Sequence, residues 1–160
     1  MLPGDFAVVA TPGLMGRLIR LVTRAKVNHA VISVGDGKIM EAAPAGARLA
    51  ALTEYDGLTL TWSHLPLTQT TRDRIVDAAY APAGAPYSWV DAACIGLAAL
   101  LDVHVPGWVR RRMAGTDHLQ CSQLVDVCYA DAGVPLFDDG RLPGDVSPGD
   151  LAQLIASEPS

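Results

Sequence analysis

The sequence predicts an α+β domain in which an antiparallel sheet packs against helices. Short β-type stretches are separated by tight-turn signals, as in Gly35-Asp36-Gly37. Other segments repeat apolar residues at helical spacing. Half of the 160 residues are hydrophobic and 18% are charged, which excludes a disordered chain. This length is sufficient for one domain with its own core.

The strands are predicted from β-type runs that end at Gly or Pro. They cover residues 6–9, 28–34, 38–42, 47–52 and 58–65, and the second and third form a hairpin through Gly35-Asp36-Gly37. Pro66 ends the last of them, because proline cannot donate to a sheet ladder. The strands therefore occupy the first half of the chain.

The helices are predicted from apolar spacing and capping residues. The first runs from Leu14 to Val22 with a cationic face, and the second follows Thr68 or Thr70. The buried side of the second helix is expected to hold Ile75, Val76, Ala79 and Tyr80. An apolar helix over residues 89–101 is too short to cross a bilayer. The last two begin near Cys121 and after Ser147, and residues 158–160 are expected to fray.

Charge and cysteine content exclude several classes of function. The net charge of −5 and the lack of a long basic block argue against a nucleic-acid ligand. The first residues lack a secretory signal, so a cytoplasmic location is expected. An odd set of three cysteines predicts no disulfide framework. Neither a metal site, from Cys121, Cys128, His104 and His118, nor another cofactor is expected, because no ligand pair has close spacing.

Cys121 lies at the start of a predicted helix that stops at Gly133. Leu124 and Cys128 follow it at spacings of three and seven, which places all of them on the inward face. Free backbone N–H groups at a helix start lower a thiol pKa and can hold an oxyanion. Cysteine is also a common core residue. The helix alone leaves both interpretations open.

The hairpin before it places a histidine and a carboxylate on neighbouring strands. His29 begins one strand and Glu41 lies late in the next, so the two side chains can share a face. The alternative is that each merely ends a strand at the solvent edge. His64, on a later predicted strand, is a second candidate base.

The order of several short motifs resembles the circularly permuted papain-like hydrolases. These form the YiiX/YaeF-like branch of the NlpC-type superfamily, with lecithin retinol acyltransferase-like relatives. The motifs are Gly4-Asp5-Phe6, Asn28-His29-Ala30-Val31-Ile32, the segment 35–42, Pro86-Tyr87-Ser88-Trp89 and Cys121-Ser122-Gln123-Leu124-Val125. In this branch the histidine strand precedes the cysteine helix, as it does here.

The resemblance implies a papain-like core, an antiparallel sheet or half-barrel packed against helices, in one catalytic domain over residues 1–157. It implies that Cys121 is the nucleophile, His29 the general base and then acid, and Glu41 the group that orients His29. Tyr87, with Gln120 and Ser122, is implied to assist the oxyanion or to shape the pocket. Cys94 and Cys128 are expected to be core residues.

The implied reaction is cleavage of a peptide-type or peptidoglycan-type amide through a thioacyl-enzyme. A lipid acyltransferase or thioesterase on the same fold, and a binding domain that retains the pocket without catalysis, remain alternatives. The expected partners are a small peptide, a cell-wall fragment or an acyl substrate. Membrane contact is an option at residues 108–113, and delivery by a phage or a secretion system is an alternative to a cytoplasmic role.

Overall fold

The computed structural model of the chain describes residues 1–43, 46–81 and 121–158. Five antiparallel strands form one sheet in the order β4-β3-β2-β1-β5. The strands are β1 (Phe6–Val9), β2 (His29–Gly35), β3 (Lys38–Ala43), β4 (Gly46–Ala51) and β5 (Leu60–Trp62). The helices are α1 (Leu14–Thr23), α2 (Gln69–Tyr80), α3 (Cys121–Asp131) and α4 (Pro148–Ala156), and short 3₁₀ turns cover Leu52–Tyr55 and Pro143–Asp145. The predicted α+β class is confirmed.

The hairpin between β2 and β3 turns through two residues, as predicted. Asp36 and Gly37 both have positive φ, at 51° and 68°, and the flanking Gly35 pairs with Lys38. Two successive positive φ angles match the right-handed twist of the strands on either side. This turn fixes the register of β2 against β3.

The sheet separates two hydrophobic clusters. The larger cluster includes Ala30 and Ile32 of β2 together with residues of α2, α3 and α4. The smaller one includes Val31 of β2 and Tyr55 of the 3₁₀ turn. Because successive strand residues point to opposite faces, β2 contributes to both clusters. The helices therefore cover one face of the sheet, and the 3₁₀ turn lies on the other.

The helix boundaries follow the predicted capping residues. The Thr68 hydroxyl accepts a hydrogen bond from the Thr71 N–H and caps α2. Ser147 caps α4 in a reciprocal pair with Asp150, and Gly133 ends α3 with φ of 84°. These contacts satisfy backbone groups that the first and last turns of a helix leave unpaired.

An ion pair anchors the N-terminal segment to α2. Arg72 Nη1 lies 2.6 Å from Asp5 Oδ1, and both side chains are buried. The hydroxyl of Tyr129 in α3 donates to the carbonyl of Gly4 at 2.5 Å. Gly4 has φ of 84°, and a Cβ there would lie 3.2 Å from the Arg72 Cα. The turn before β1 therefore needs glycine and holds α2 and α3 against the sheet.

Two expectations for the fold differ from the structure, and one element of the structure was not expected. β5 has three residues rather than the eight of segment 58–65, because its partner β1 is itself short. The 3₁₀ turn at Leu52–Tyr55 was not predicted. Tyr80, expected to be buried, is 44% exposed because it lies five positions beyond Ile75 and turns away from the face shared with Ala79. The apolar segment 89–101 lies outside the described residues.

Glu158, in the tail that was expected to fray, accepts a hydrogen bond from the His64 N–H through its Oε2 at 2.6 Å. Within the described part of the chain, no helix is both long enough and apolar enough to cross a membrane.

Candidate active site

Three elements meet at one end of β2, and each supplies a residue that the sequence singled out. His29 is the first residue of β2, Glu41 lies in β3, and Cys121 is the first residue of α3. Helix α3 packs on the sheet face that carries Ala30 and Ile32. The site therefore lies where the start of this helix reaches the end of the strand.

The strand registers explain how His29 and Glu41 meet. Val31 pairs directly with Glu41, so His29 lies two residues along and diagonal to the carboxylate on the same face. Long side chains can bridge this diagonal separation. The His29 Nε2 lies 2.7 Å from Glu41 Oε2. The predicted contact between these two residues is present.

Glu41 is held by two further side chains. The Tyr55 hydroxyl donates to Glu41 Oε2, the same oxygen that faces His29. Arg48, which pairs with Glu41 across β3 and β4, places Nη2 at 2.6 Å from Oε1. That contact is an ion pair without hydrogen-bond alignment. The same guanidinium lies 2.7 Å from Glu54 Oε2.

These contacts keep the Glu41 carboxylate ionised. Burial opposes ionisation, but the hydrogen bonds from His29 and Tyr55 and the charges of His29 and Arg48 outweigh it and lower the pKa of Glu41 to about 2. Glu41 is 2% exposed. A buried anion bonded to Nε2 fixes the orientation of the imidazole and leaves Nδ1 as the ring nitrogen for another partner.

The His29 ring also interacts with the thiol of Cys121. The charge of the ring, and hydrogen bonding from the ring and from the backbone of Ala30 and Ser122, act on the pKa of this thiol. Burial raises the pKa of Cys121, but the positive charge of His29 and these hydrogen bonds outweigh it, so the net pKa is lowered. The arrangement favours a thiolate beside an imidazolium.

The pKa of His29 shifts in the opposite direction to that of Cys121. Burial lowers the pKa of His29, but the charge of the Cys121 thiolate and the hydrogen bonds with Cys121 and Glu41 outweigh it and raise the pKa to about 10. The Tyr55 ring lies parallel to the imidazole, with an angle of 7° between the planes and 6.2 Å between the centroids. Cys121, His29 and Glu41, on three separate elements, therefore form one connected set of polar interactions.

A cleft of about 380 Å³ opens beside these side chains, on the side where Glu41 lies. Its lining includes Thr11, Pro12, His29, Glu41, Arg48 and Tyr55. The lining combines charged groups with apolar surface, a combination common in ligand pockets.

Of the remaining predicted site residues, Ser122 and His64 lie in the described part of the chain and the others lie outside it. Ser122 is buried, and its hydroxyl donates to the Val146 carbonyl at 2.5 Å, so that side chain connects α3 to the segment before α4. Its backbone group still faces the Cys121 sulfur. His64 is exposed and follows β5, which β1 separates from β2. Tyr87 and Gln120 lie outside the described residues, as do Cys94, His104, His118 and the segment 108–113.

Tyr55 and Arg48 were missed by the sequence reasoning. For Arg48 a signal was available, because β4 begins soon after β3 ends, so counting outward from the Ala43–Gly46 pair places Arg48 opposite Glu41. Tyr55 reaches Glu41 from a 3₁₀ turn that follows β4, and no periodicity in the sequence marks such a return.

Comparison with known proteins gives a fold and no family. The chain matches no protein-family model, and no curated protein matches it in sequence. Among solved structures it is similar to the metalloprotein yiiX from Escherichia coli O157:H7, assigned to DUF1105. The TM-score is 0.63 at 15% identity, over 85% of this chain and 69% of that one. The likeness shows a YiiX-like fold.

The described residues do not fit a metal ion of the kind that the name of this neighbour implies. Among residues 1–43, 46–81 and 121–158, no three His, Cys, Asp or Glu side chains cluster closely enough to ligate one. The Glu41 oxygens already face His29, Tyr55 and Arg48.

Proposed function

We propose that the chain is a cysteine hydrolase with a circularly permuted papain-like core that cleaves an amide bond through a thioacyl-enzyme. The observation that carries the proposal is the position of His29, whose ring hydrogen-bonds Glu41 and interacts with the Cys121 thiol strongly enough to lower the pKa of that thiol. A nucleophile, a base and a group that orients the base form the minimal set for this chemistry.

The first half of the reaction transfers the acyl group to Cys121. The thiolate attacks the carbonyl carbon, and a C–S bond forms while the carbonyl electrons move onto oxygen. Backbone N–H groups at the start of α3 stabilise this oxyanion. Protonated His29 then donates its proton to the leaving nitrogen as the C–N bond breaks.

The second half releases the acyl group. Water approaches the thioester, His29 removes one of its protons, and the new C–O bond forms as the C–S bond breaks. The product is a carboxylic acid, and the thiolate is regenerated. Glu41 stays ionised throughout, because hydrogen bonds hold its pKa near 2, and it stabilises the imidazolium each time that it forms.

The substrate classes proposed are a small peptide, a cell-wall fragment or an acyl thioester. All of them share the acylation step, and a lipid acyltransferase differs in the acceptor that resolves the thioacyl-enzyme. A panel of peptides, peptidoglycan fragments and acyl thioesters, followed by intact-mass spectrometry, tests acylation directly. We expect an acyl adduct on Cys121 in the wild type and in Cys128→Ala.

The matched control is Cys121→Ala, which should form no adduct and show no turnover. Turnover that persists in Cys121→Ala would contradict the proposal. A wild-type chain that binds members of the panel without acylation or turnover would instead support the non-catalytic binding domain.

A further inference from the structure

The outward face of α1 combines exposed leucines with exposed arginines. Leu14 is 85% exposed and Leu21 is 71% exposed. Arg17 and Arg24 are also exposed. Leu14, Arg17 and Leu21 are three or four residues apart and share one face of the helix, and Arg24 follows as its C-cap. We call Leu14, Arg17, Leu21 and Arg24 the α1 outer stripe.

Contacts of Arg20 and Gly16, which flank the α1 outer stripe, fix the orientation of α1. Arg20 Nη1 donates to the Thr11 carbonyl at 2.9 Å and to Asn28 Oδ1 at 2.7 Å. Gly16 is buried, and a Cβ there would lie 2.7 Å from the Thr11 oxygen. The helix therefore packs closely against the start of β2 and cannot rotate its leucines inward without losing these contacts.

The chain segment that carries the α1 outer stripe has charge of one sign. Residues 6–35 include Arg17, Arg20, Arg24 and Lys26 and contain no Asp or Glu, in a chain whose net charge is −5. Arg24 holds the left-handed C-cap position with φ of 51°, where glycine is the favoured residue. An occupant of this face must tolerate apolar contact and carry negative charge.

We propose that the α1 outer stripe docks the chain on the surface of an anionic phospholipid bilayer. A helix that lies in a bilayer interface buries leucines at the acyl boundary, while arginine side chains extend to the phosphates. The stripe is convex and interleaves both residue types, which fits a lipid surface better than a groove-binding peptide. Thr11 and Pro12, just before α1, line the cleft beside His29, so docking would bring that cleft close to the bilayer.

Vesicle co-sedimentation of the full chain tests this proposal. Two vesicle types are compared: phosphatidylcholine alone, and phosphatidylcholine mixed with phosphatidylglycerol. We expect binding to the mixed vesicles that weakens with added salt, and little binding to the neutral ones. The double variant Leu14→Ser/Leu21→Ser should lower the partition constant by about tenfold or more. Arg17→Glu/Arg24→Glu should lower it by about 30-fold or more, because two attractive charges are lost and two repulsive ones are added.

Two variants elsewhere serve as matched controls. Leu142 is an exposed leucine and Arg74 an exposed arginine, and neither belongs to α1. Leu142→Ser and Arg74→Glu should bind as the wild type does. Thermal unfolding and alkylation of Cys121 in each variant show whether the fold is intact, independently of lipid.

Three results would overturn the proposal. These are no binding of the wild type to anionic vesicles, equal binding by the stripe variants, and equal losses in the control variants. Self-association in lipid-free solution that the stripe variants abolish would assign the face to a second copy of the chain instead. None of these outcomes bears on the acylation of Cys121, so the proposed reaction is judged separately.

Discussion

Cys121 and Cys128 lie two turns apart on the same face of α3, and both are buried, at 7% and 1% exposure. The pKa values of the two thiols nevertheless shift in opposite directions. Burial, with a small contribution from the charge of Asp131, raises the pKa of Cys128 to about 12. Burial acts in the same direction on Cys121, yet the net pKa of Cys121 is lowered.

The difference comes from the groups that surround each thiol. Cys121 lies at the terminus, where the His29 ring and backbone groups of Ala30 and Ser122 stabilise a thiolate. Cys128 shares with Cys121 the hydrophobic cluster that includes Leu124 and Ile75, but no such groups offset the effect of burial on its pKa. Residue type and burial are nearly matched, so the comparison isolates the effect of a helix terminus with an adjacent base.

The largest expected effect is a difference in alkylation rate between the two thiols. At neutral pH we expect iodoacetamide to modify Cys121 on the order of 10³-fold faster than Cys128, because Cys128 holds almost no thiolate there. The lowered pKa of Cys121 moves the onset of its reaction below the ordinary thiol range, and the imidazolium persists until pH rises through about 10. Peptide mass spectrometry across the pH range measures both rates in one sample.

Each single alanine variant assigns its rate without ambiguity. Cys128→Ala should keep the fast phase and Cys121→Ala should lose it. Equal rates at the two positions in the native chain would remove the contrast on which the proposed mechanism rests.

Removing His29 should convert Cys121 toward the behaviour of Cys128. In His29→Ala, burial of the thiol remains while the largest stabilising charge is lost, so the pKa of Cys121 should rise. We expect alkylation at neutral pH to fall by about 100-fold, with no change at Cys128. Stopped-flow alkylation of Cys128→Ala, with and without His29→Ala, measures the effect on one thiol.

His64→Ala is the matched control, because His64 is exposed and lies on the other side of β1 from β2. If His64→Ala slowed Cys121 as much as His29→Ala did, His64 would replace His29 as the base.

A smaller effect is expected from Glu41→Gln, which keeps the shape of the side chain and removes its charge. His29 would lose an anionic partner that raises its pKa, so turnover and alkylation should each fall by about 10- to 100-fold. The control is Glu54→Gln, whose carboxylate contacts Arg48. Unchanged activity in Glu41→Gln would remove Glu41 from the triad and make Glu54 the next candidate.

The same variant has a stability signature. The pKa of Glu41 lies at about 2, below its ordinary value of 4.5, so its contribution is present above that ordinary value and is lost as pH falls toward 2. Glu41→Gln should therefore flatten the dependence of the unfolding free energy on pH in this acidic window. Denaturant titrations at several acidic pH values measure the slope.

Local chemistry explains what the sequence could predict. The Asp36-Gly37 turn, the Thr68 and Ser147 caps and the stop at Gly133 each follow from a residue and its immediate neighbours. Cys121 and His29 are far apart in the chain, and only a resemblance brought them together before the structure did. The papain-like permutation that motivated this pairing stays a prediction.

The contacts around Glu41 show where sequence reasoning ends. Arg48 could have been found by counting across the turn between β3 and β4. Tyr55 could not have been found in this way, because its position depends on how a 3₁₀ turn folds back over the sheet after β4. Ser122 was expected near the oxyanion, and its hydroxyl instead bonds the Val146 carbonyl, a partner 24 residues away that no local pattern specifies.

Tyr55 gives the smallest and most specific prediction. Tyr55→Phe keeps the ring beside the imidazole and removes the hydrogen bond to Glu41, which helps to lower the carboxyl pKa. We expect turnover to fall by about tenfold, the typical worth of a hydrogen bond to a charged group. Because Glu41 acts on Cys121 through His29, the alkylation profile of Cys121 should shift toward higher pH.

The matched control is Tyr80→Phe, an exposed tyrosine at the end of α2, which should leave the profile unchanged. A lower unfolding temperature in Tyr55→Phe with an unshifted profile would make Tyr55 a packing residue. A shifted profile without loss of stability would place it in the chain of contacts that makes Cys121, and not Cys128, reactive.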